Sequence, residues 1–295
     1  MKLEYFKGEH PNFGDELNTW LWPQLLPDFF DDDPSVVFLG IGSIIGNHYE
    51  AEAKKIIFGA GFNPNYSQLP NIQGGDWDVF FVRGPRTSRA LGLPDSFGVG
   101  DAAILIRALN VQFRREPRYV GFMPHWESLP RGNWGTACKL AGIRLIDPRS
   151  PVEQVITEIL GCEVLITEAM HGAIVADALR VPWVPVLPID SIHREKWFDW
   201  ADALCLQLTP HRLWPSSLPE VSIATMRRPF LSSIAAGLSW GPVSGIAGTV
   251  TTYAAAHRLS VLAKRAPCLS ADSAIENATA QMQENLLQLT KQYRK

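Results

Sequence analysis

Cysteine is scarce in this chain: four occur in 295 residues, at Cys138, Cys162, Cys205 and Cys268. None stands in a CxxC pair, so the spacing excludes a thiolate zinc site and a disulfide framework, and it suits a reducing cytoplasm. Long apolar runs are missing as well. No stretch of about 18 residues is apolar and free of charge, so nothing reads as a membrane span. The opening residues MKLEYFKGEH lack the apolar centre of a secretory leader. Charge of one sign is not in excess, because 27 Lys and Arg stand against 30 Asp and Glu, a net of −3. A nucleic-acid binder that works by bulk charge is therefore not expected. Gly40-x-Gly42 and Gly59-x-Gly61 are too short for a dinucleotide fingerprint, and no G-x-x-x-x-G-K-[ST] run offers a nucleotide phosphate loop.

What is present is an apolar fraction of 46%, enough for a substantial core. The length exceeds one core, so two domains of about 110–150 residues are expected. Met1–Phe6, Val36–Leu39, Lys55–Phe58 and Val79–Val82 read as strands, the last three each running into a glycine-bearing turn. That alternation is the pattern of a doubly wound α/β sheet. The polar stretch Gln112–Arg118 reads as an interdomain connection, after which the alternation restarts at Tyr119–Met123. Two Rossmann-like domains are thus expected, 1–112 and 113–220. A helical tail over 221–295 follows, built from Ile223–Leu238, Ala254–Arg265 and Ser273–Lys295 and packing back across the domains. Met226, Phe230 and Ile234 form an amphipathic stripe in it. Arg227, Arg228, His257, Arg258, Lys264 and Arg265 beside apolar faces allow peripheral membrane contact. Of ten tryptophans, Trp77, Trp126, Trp134, Trp197 and Trp200 lie near polar loops, where they either stack on sugar rings or pack the core.

The stretch Val164–Pro185 carries the sharpest signal. An apolar strand, Val164–Ile166, breaks at Thr167-Glu168-Ala169-Met170-His171-Gly172 and resumes as the helix Ala173–Leu179. The break is the carboxyl end of a strand meeting a helix N-terminus, where unpaired N–H groups and the helix dipole favour anions. His171 in that loop is the candidate acid or base, and Gly172 lets a ligand approach the backbone. His125 also follows an apolar strand, so a parallel sheet would bring it to the same edge. In the first half, Asp15 is a helix cap or a ligand contact, and Asp101 reads as a cap. Arg83 and Arg86 flank Gly84-Pro85; a cation early in a helix opposes the dipole unless an anion pairs with it, so a carboxylate or phosphate ligand competes with a surface salt bridge. Arg194 and Lys196 follow the strand after His171 and are further candidate contacts.

These pieces resemble the polysaccharide pyruvyl transferases that modify bacterial exopolysaccharides. The resemblance rests on Asn12-Phe13-Gly14-Asp15, Val82–Arg86, Gly100-Asp101-Ala102, Gly121–His125 and above all Met170–Leu179, together spanning roughly residues 1–205. It implies two Rossmann-type domains facing one cleft, as in GT-B glycosyltransferases. It also implies transfer of the enolpyruvyl carbons of phosphoenolpyruvate to two hydroxyls of one sugar, giving a cyclic ketal and phosphate. The sugar acceptor, of which a lipid-linked oligosaccharide is one form, would be met in the cytoplasm or at the inner membrane. By resemblance Asp15, Arg83, His171 and Lys196 hold or protonate the donor. Arg86, His125, Met170 and Arg194 are the further candidate substrate contacts. The family's arginine before the Leu/Met-His pair is Ala169 here, so Arg86, Arg194 or Lys196 must replace it. No cofactor and no metal is expected. Two other readings stand beside this one: a nucleotide-sugar glycosyltransferase, and a glycan-binding protein without catalysis.

Overall fold

The computed structural model describes residues 1–225 and 244–294. The stripe Met226, Phe230, Ile234 and the cations Arg227 and Arg228 lie outside the described residues. Along the chain come β1 (Lys2–Glu4), α1 (Phe13–Leu25), β2 (Val36–Leu39), β3 (Lys54–Phe58), β4 (Trp77–Phe81) and α2 (Pro85–Ala90). Next follow β5 (Tyr119–Met123), α3 (Ser128–Arg131), α4 (Trp134–Ala141), β6 (Arg144–Leu145), α5 (Val152–Leu160), β7 (Cys162–Thr167), α6 (Met170–Ala178) and β8 (Trp183–Leu187). The remainder is α7 (Glu195–Ala203), β9 (His211–Arg212), α8 (Leu218–Thr225), α9 (Ser244–Leu262) and α10 (Asp272–Tyr293). None of the described helices is long and apolar enough to cross a membrane.

The chain forms two compact units. The first holds Met1–Gln112, Glu195–Leu208 and Ser270–Lys295, and the second holds Phe113–Arg194 and Thr209–Leu269. Segments from the second half of the sequence thus return to the first unit twice, and the C-terminal helices are divided between the two.

The first unit is built on a parallel sheet in the order β1-β2-β3-β4. Val37–Leu39 and Ile56–Phe58 of the central strands are buried, as a parallel sheet covered by helices requires, whereas Lys2, Glu4 and Asp78 sit on the edge strands β1 and β4. Val37, Leu39, Ile57, Val82 and Leu91 form one core. Trp22 packs edge-on against Phe38 and Phe58, at centroid distances of 4.9 and 5.6 Å. The strand order is sequential, so the reversal expected of a doubly wound sheet is not found among its described strands.

The second unit has the reversal. Its parallel sheet runs β6-β5-β7-β8-β9, and the order changes direction between β5 and β7. Connections leave β5 toward one side and β7 toward the other, which opens a crevice at their carboxyl ends. Phe122, Ile166 and Val184 of the sheet pack with Trp134 of α4 and Leu259 of α9. Trp134, Trp197 and Trp200 are all buried in cores, so core packing and not sugar stacking accounts for these three.

Candidate active site

Both histidines singled out in the sequence belong to the switch point of the second sheet. His125 follows β5 after Pro124, and His171 follows β7. His171 does not stand in a loop, however: α6 begins at Met170, so His171 occupies its first turn. The turn closes early because the Thr167 hydroxyl accepts from the N–H of Ala169 (3.1 Å) and donates to its carbonyl (2.8 Å). Met170 is buried and His171 is 9% exposed. Gly172 serves packing instead of ligand approach, since a Cβ there would stand 2.6 Å from Met123 Sδ and 2.8 Å from Thr167 Oγ1. Arg194, just beyond β8, donates to the carbonyls of Pro188 (2.9 Å) and Ile189 (3.3 Å) at the same sheet edge.

Glu168 ties these loops together. Its fully buried carboxylate accepts from the N–H of His125 (2.8 Å), the hydroxyl of Ser128 (3.0 Å) and the N–H of Ile189 (2.8 Å). One side chain after β7 therefore fixes the backbones that follow β5 and β8. Burial, opposed by these donors and reinforced by the nearby Glu127, pushes its carboxyl above the usual range. The sequence shows Glu168 only as a neighbour of the missing arginine; its partners stand 43, 40 and 21 residues away, beyond any local pattern.

The fold also gathers a cluster that local spacing hides. His193 Nε2 lies 2.9 Å from Glu127 Oε2, and His125 Nδ1 lies 3.8 Å from the same oxygen. The two imidazoles stack at a centroid distance of 4.2 Å. Arg131 Nη1 approaches Glu127 Oε2 at 3.6 Å. The available signal was that Glu127 and His193, like His125, fall just past strand ends.

In the first unit, Asp15 lies in the first turn of α1, one turn inside the cap. Asn12 takes the cap position, and its amide donates to Asp15 Oδ2 at 2.6 Å. The expected Asp101 cap forms, accepting from Ala103 N at 3.0 Å. Arg83 is fully buried. It donates through Nε to Asp199 Oδ2 (3.1 Å), through Nη1 to Ser43 Oγ (2.6 Å) and through Nη2 to the carbonyl of Phe62 (3.4 Å). Asp199, from α7, also caps α2, with Oδ1 accepting from the N–H groups of Arg86 (3.0 Å) and Thr87 (3.1 Å). The anion expected at this turn is thus supplied from within the chain. Gly84 makes the approach possible, because a Cβ there would stand 1.9 Å from the Asp199 carbonyl oxygen. Arg86 finds the anionic partner the dipole argument demands in Asp202, at 2.7 Å, and lies over the Phe198 ring. Lys196 belongs to this first unit and not to the sheet edge of His171; its Nζ stands 5.9 Å from the Tyr66 ring centroid.

The cysteines offer no nucleophile among the buried pair. Burial pushes the thiols of Cys138 and Cys162 up to about 12.

Two parallel sheets flanked by helices, one with its strand order reversing between β5 and β7, define an α/β protein of Rossmann-like type. The model of the polysaccharide pyruvyl transferase family matches residues 12–191. The chain is also 38% identical over 230 residues to the succinoglycan biosynthesis protein ExoV of Rhizobium meliloti (strain 1021), covering 77% of this chain and 72% of that protein. The chain belongs to the polysaccharide pyruvyl transferase family. No solved structure matches it.

Proposed function

We propose that this protein transfers a pyruvyl group from phosphoenolpyruvate to two hydroxyls of one sugar in an exopolysaccharide or its repeat-unit precursor, forming a cyclic ketal. The observation that carries the reading is the place of His171, in the first turn of α6 beside the switch point of a parallel sheet. An anionic donor is favoured there by the positive end of the helix dipole. In this scheme His171 gives a proton to the methylene carbon of the donor. One sugar hydroxyl then attacks C2 and loses its proton, and the second hydroxyl displaces phosphate from the same carbon. One donor and two hydroxyls become one ketal and one phosphate. Arg194, fixed at the same edge, takes the place of the family arginine missing at Ala169, with His125 and Met170 lining the donor. Asp15, Arg86 and Lys196 are the further donor contacts proposed from the first unit. Arg83, neutralised by Asp199, holds that unit's turn in shape.

The acceptor is proposed to be met on the cytoplasmic side, at a membrane that carries lipid-linked sugar. Supporting this, Ile246, Val250 and Tyr253 lie exposed along one face of α9. Phosphate release from phosphoenolpyruvate in the presence of acceptor glycan tests the reading. Release of a nucleoside diphosphate from a sugar nucleotide instead would establish a glycosyltransferase, and stabilisation by glycan without turnover a binding protein.

A further inference from the structure

We propose that His125, Glu127 and His193 form a binding site for a divalent cation of the zinc class, with positions left open for oxygen ligands. The candidate ligand atoms, one from each residue, all lie within 4.8 Å of one another. Zinc bonds to imidazole nitrogen and carboxylate oxygen are about 2.0–2.2 Å, which puts neighbouring ligand atoms about 3–3.5 Å apart. The distances from Glu127 Oε2, 2.9 Å to His193 Nε2 and 3.8 Å to His125 Nδ1, bracket that spacing. Two imidazoles and one carboxylate are a donor set that holds zinc or iron(II) with coordination positions to spare.

A second observation points the same way. Glu168 is a buried carboxylate whose three hydrogen-bond donors, His125 N, Ser128 Oγ and Ile189 N, are all neutral. It fastens the backbone of the His125 loop to that of the loop that leads to His193, which holds the two histidine-bearing segments together. The surrounding loops are also built on the parallel strands β5 and β8, which makes the ligand positions stiff.

The test uses the full chain, treated with a chelator, and cobalt(II) alone as probe, with no donor or acceptor present. Its outcome is therefore independent of the pyruvyl-transfer reading. One cobalt per chain with visible ligand-field absorption is expected. His193→Ala and the near-isosteric Glu127→Gln should each weaken binding by at least about tenfold, whereas His211→Ala in the same unit should not. Zinc should displace the cobalt and raise the unfolding midpoint of the unsubstituted protein. Should His193→Ala fail to fold, Glu127→Gln decides the matter. Absence of the absorption, or unchanged cobalt affinity in Glu127→Gln, would overturn the proposal.

Discussion

Asp199 holds Arg83 in an ion pair buried on both sides, with 0% and 4% of the two side chains exposed. The same carboxylate closes the start of α2, so one residue of α7 joins the end of β4 to the helix that follows it. Breaking such a pair leaves an uncompensated buried charge, at a cost of about 3–5 kcal/mol. Asp199→Ala should therefore lower the chemical-denaturation stability of the first unit by that amount. Gly84→Ala should be comparably severe, because it drives a methyl group into the Asp199 backbone. Urea midpoints for both variants check this, and a loss under about 1 kcal/mol for Asp199→Ala would remove the pair from any structural role.

Gly172 offers a subtler test. Alanine would ordinarily strengthen a helix by about 0.5–1 kcal/mol. Here its methyl meets the buried Met123 sulfur and the Thr167 hydroxyl that sets the turn before His171. Gly172→Ala should therefore destabilise by about 1–3 kcal/mol, the usual cost of overpacking. A rise in thermal midpoint would show that α6 does not pack this closely.

Glu220 gives a pH dependence. Burial pushes its carboxyl up to about 7, although Ser216 N, Ser216 Oγ and Trp134 Nε1 all donate to it at 2.8 Å. The folded state therefore holds this proton more tightly than the unfolded chain does, whose carboxyl titrates near 4.5. Its stability contribution is complete below the unfolded value and is lost as pH rises through about 7. A tenfold difference in proton affinity is worth about 1.4 kcal/mol, so the loss approaches about 3 kcal/mol. Urea midpoints of the second unit should fall between pH 4.5 and about 7, and Glu220→Gln should flatten that slope. An equally steep fall in the variant would assign it to another group.

Much of the framework could be read from the chain because it is local. Val36–Leu39 and Tyr119–Met123 are short apolar runs bounded by turns, which suits strands covered on both faces. The Asp101 cap and the Pro85 helix start depend on neighbours two or three residues away. What could not be read depends on distant partners. Nothing near Arg83 in the sequence says that α7, 116 residues on, places Asp199 against it. His171 looks like a loop residue because nothing in the sequence says that the Thr167 hydroxyl closes the turn within two residues. Glu127 and His193 carry no local signature, stand 66 residues apart, and meet because β5 and β8 flank β7 in one sheet.

Everything proposed about catalysis converges on the imidazole of His171. The decisive measurement is the rate of phosphate release from phosphoenolpyruvate with acceptor glycan, comparing the unsubstituted protein with His171→Ala and His171→Gln. A positioned acid contributes about 10²–10⁴-fold, so both variants should lose that factor while keeping their unfolding midpoints and their affinity for the donor. Near-normal release by either folded variant would contradict the assignment of the proton to His171.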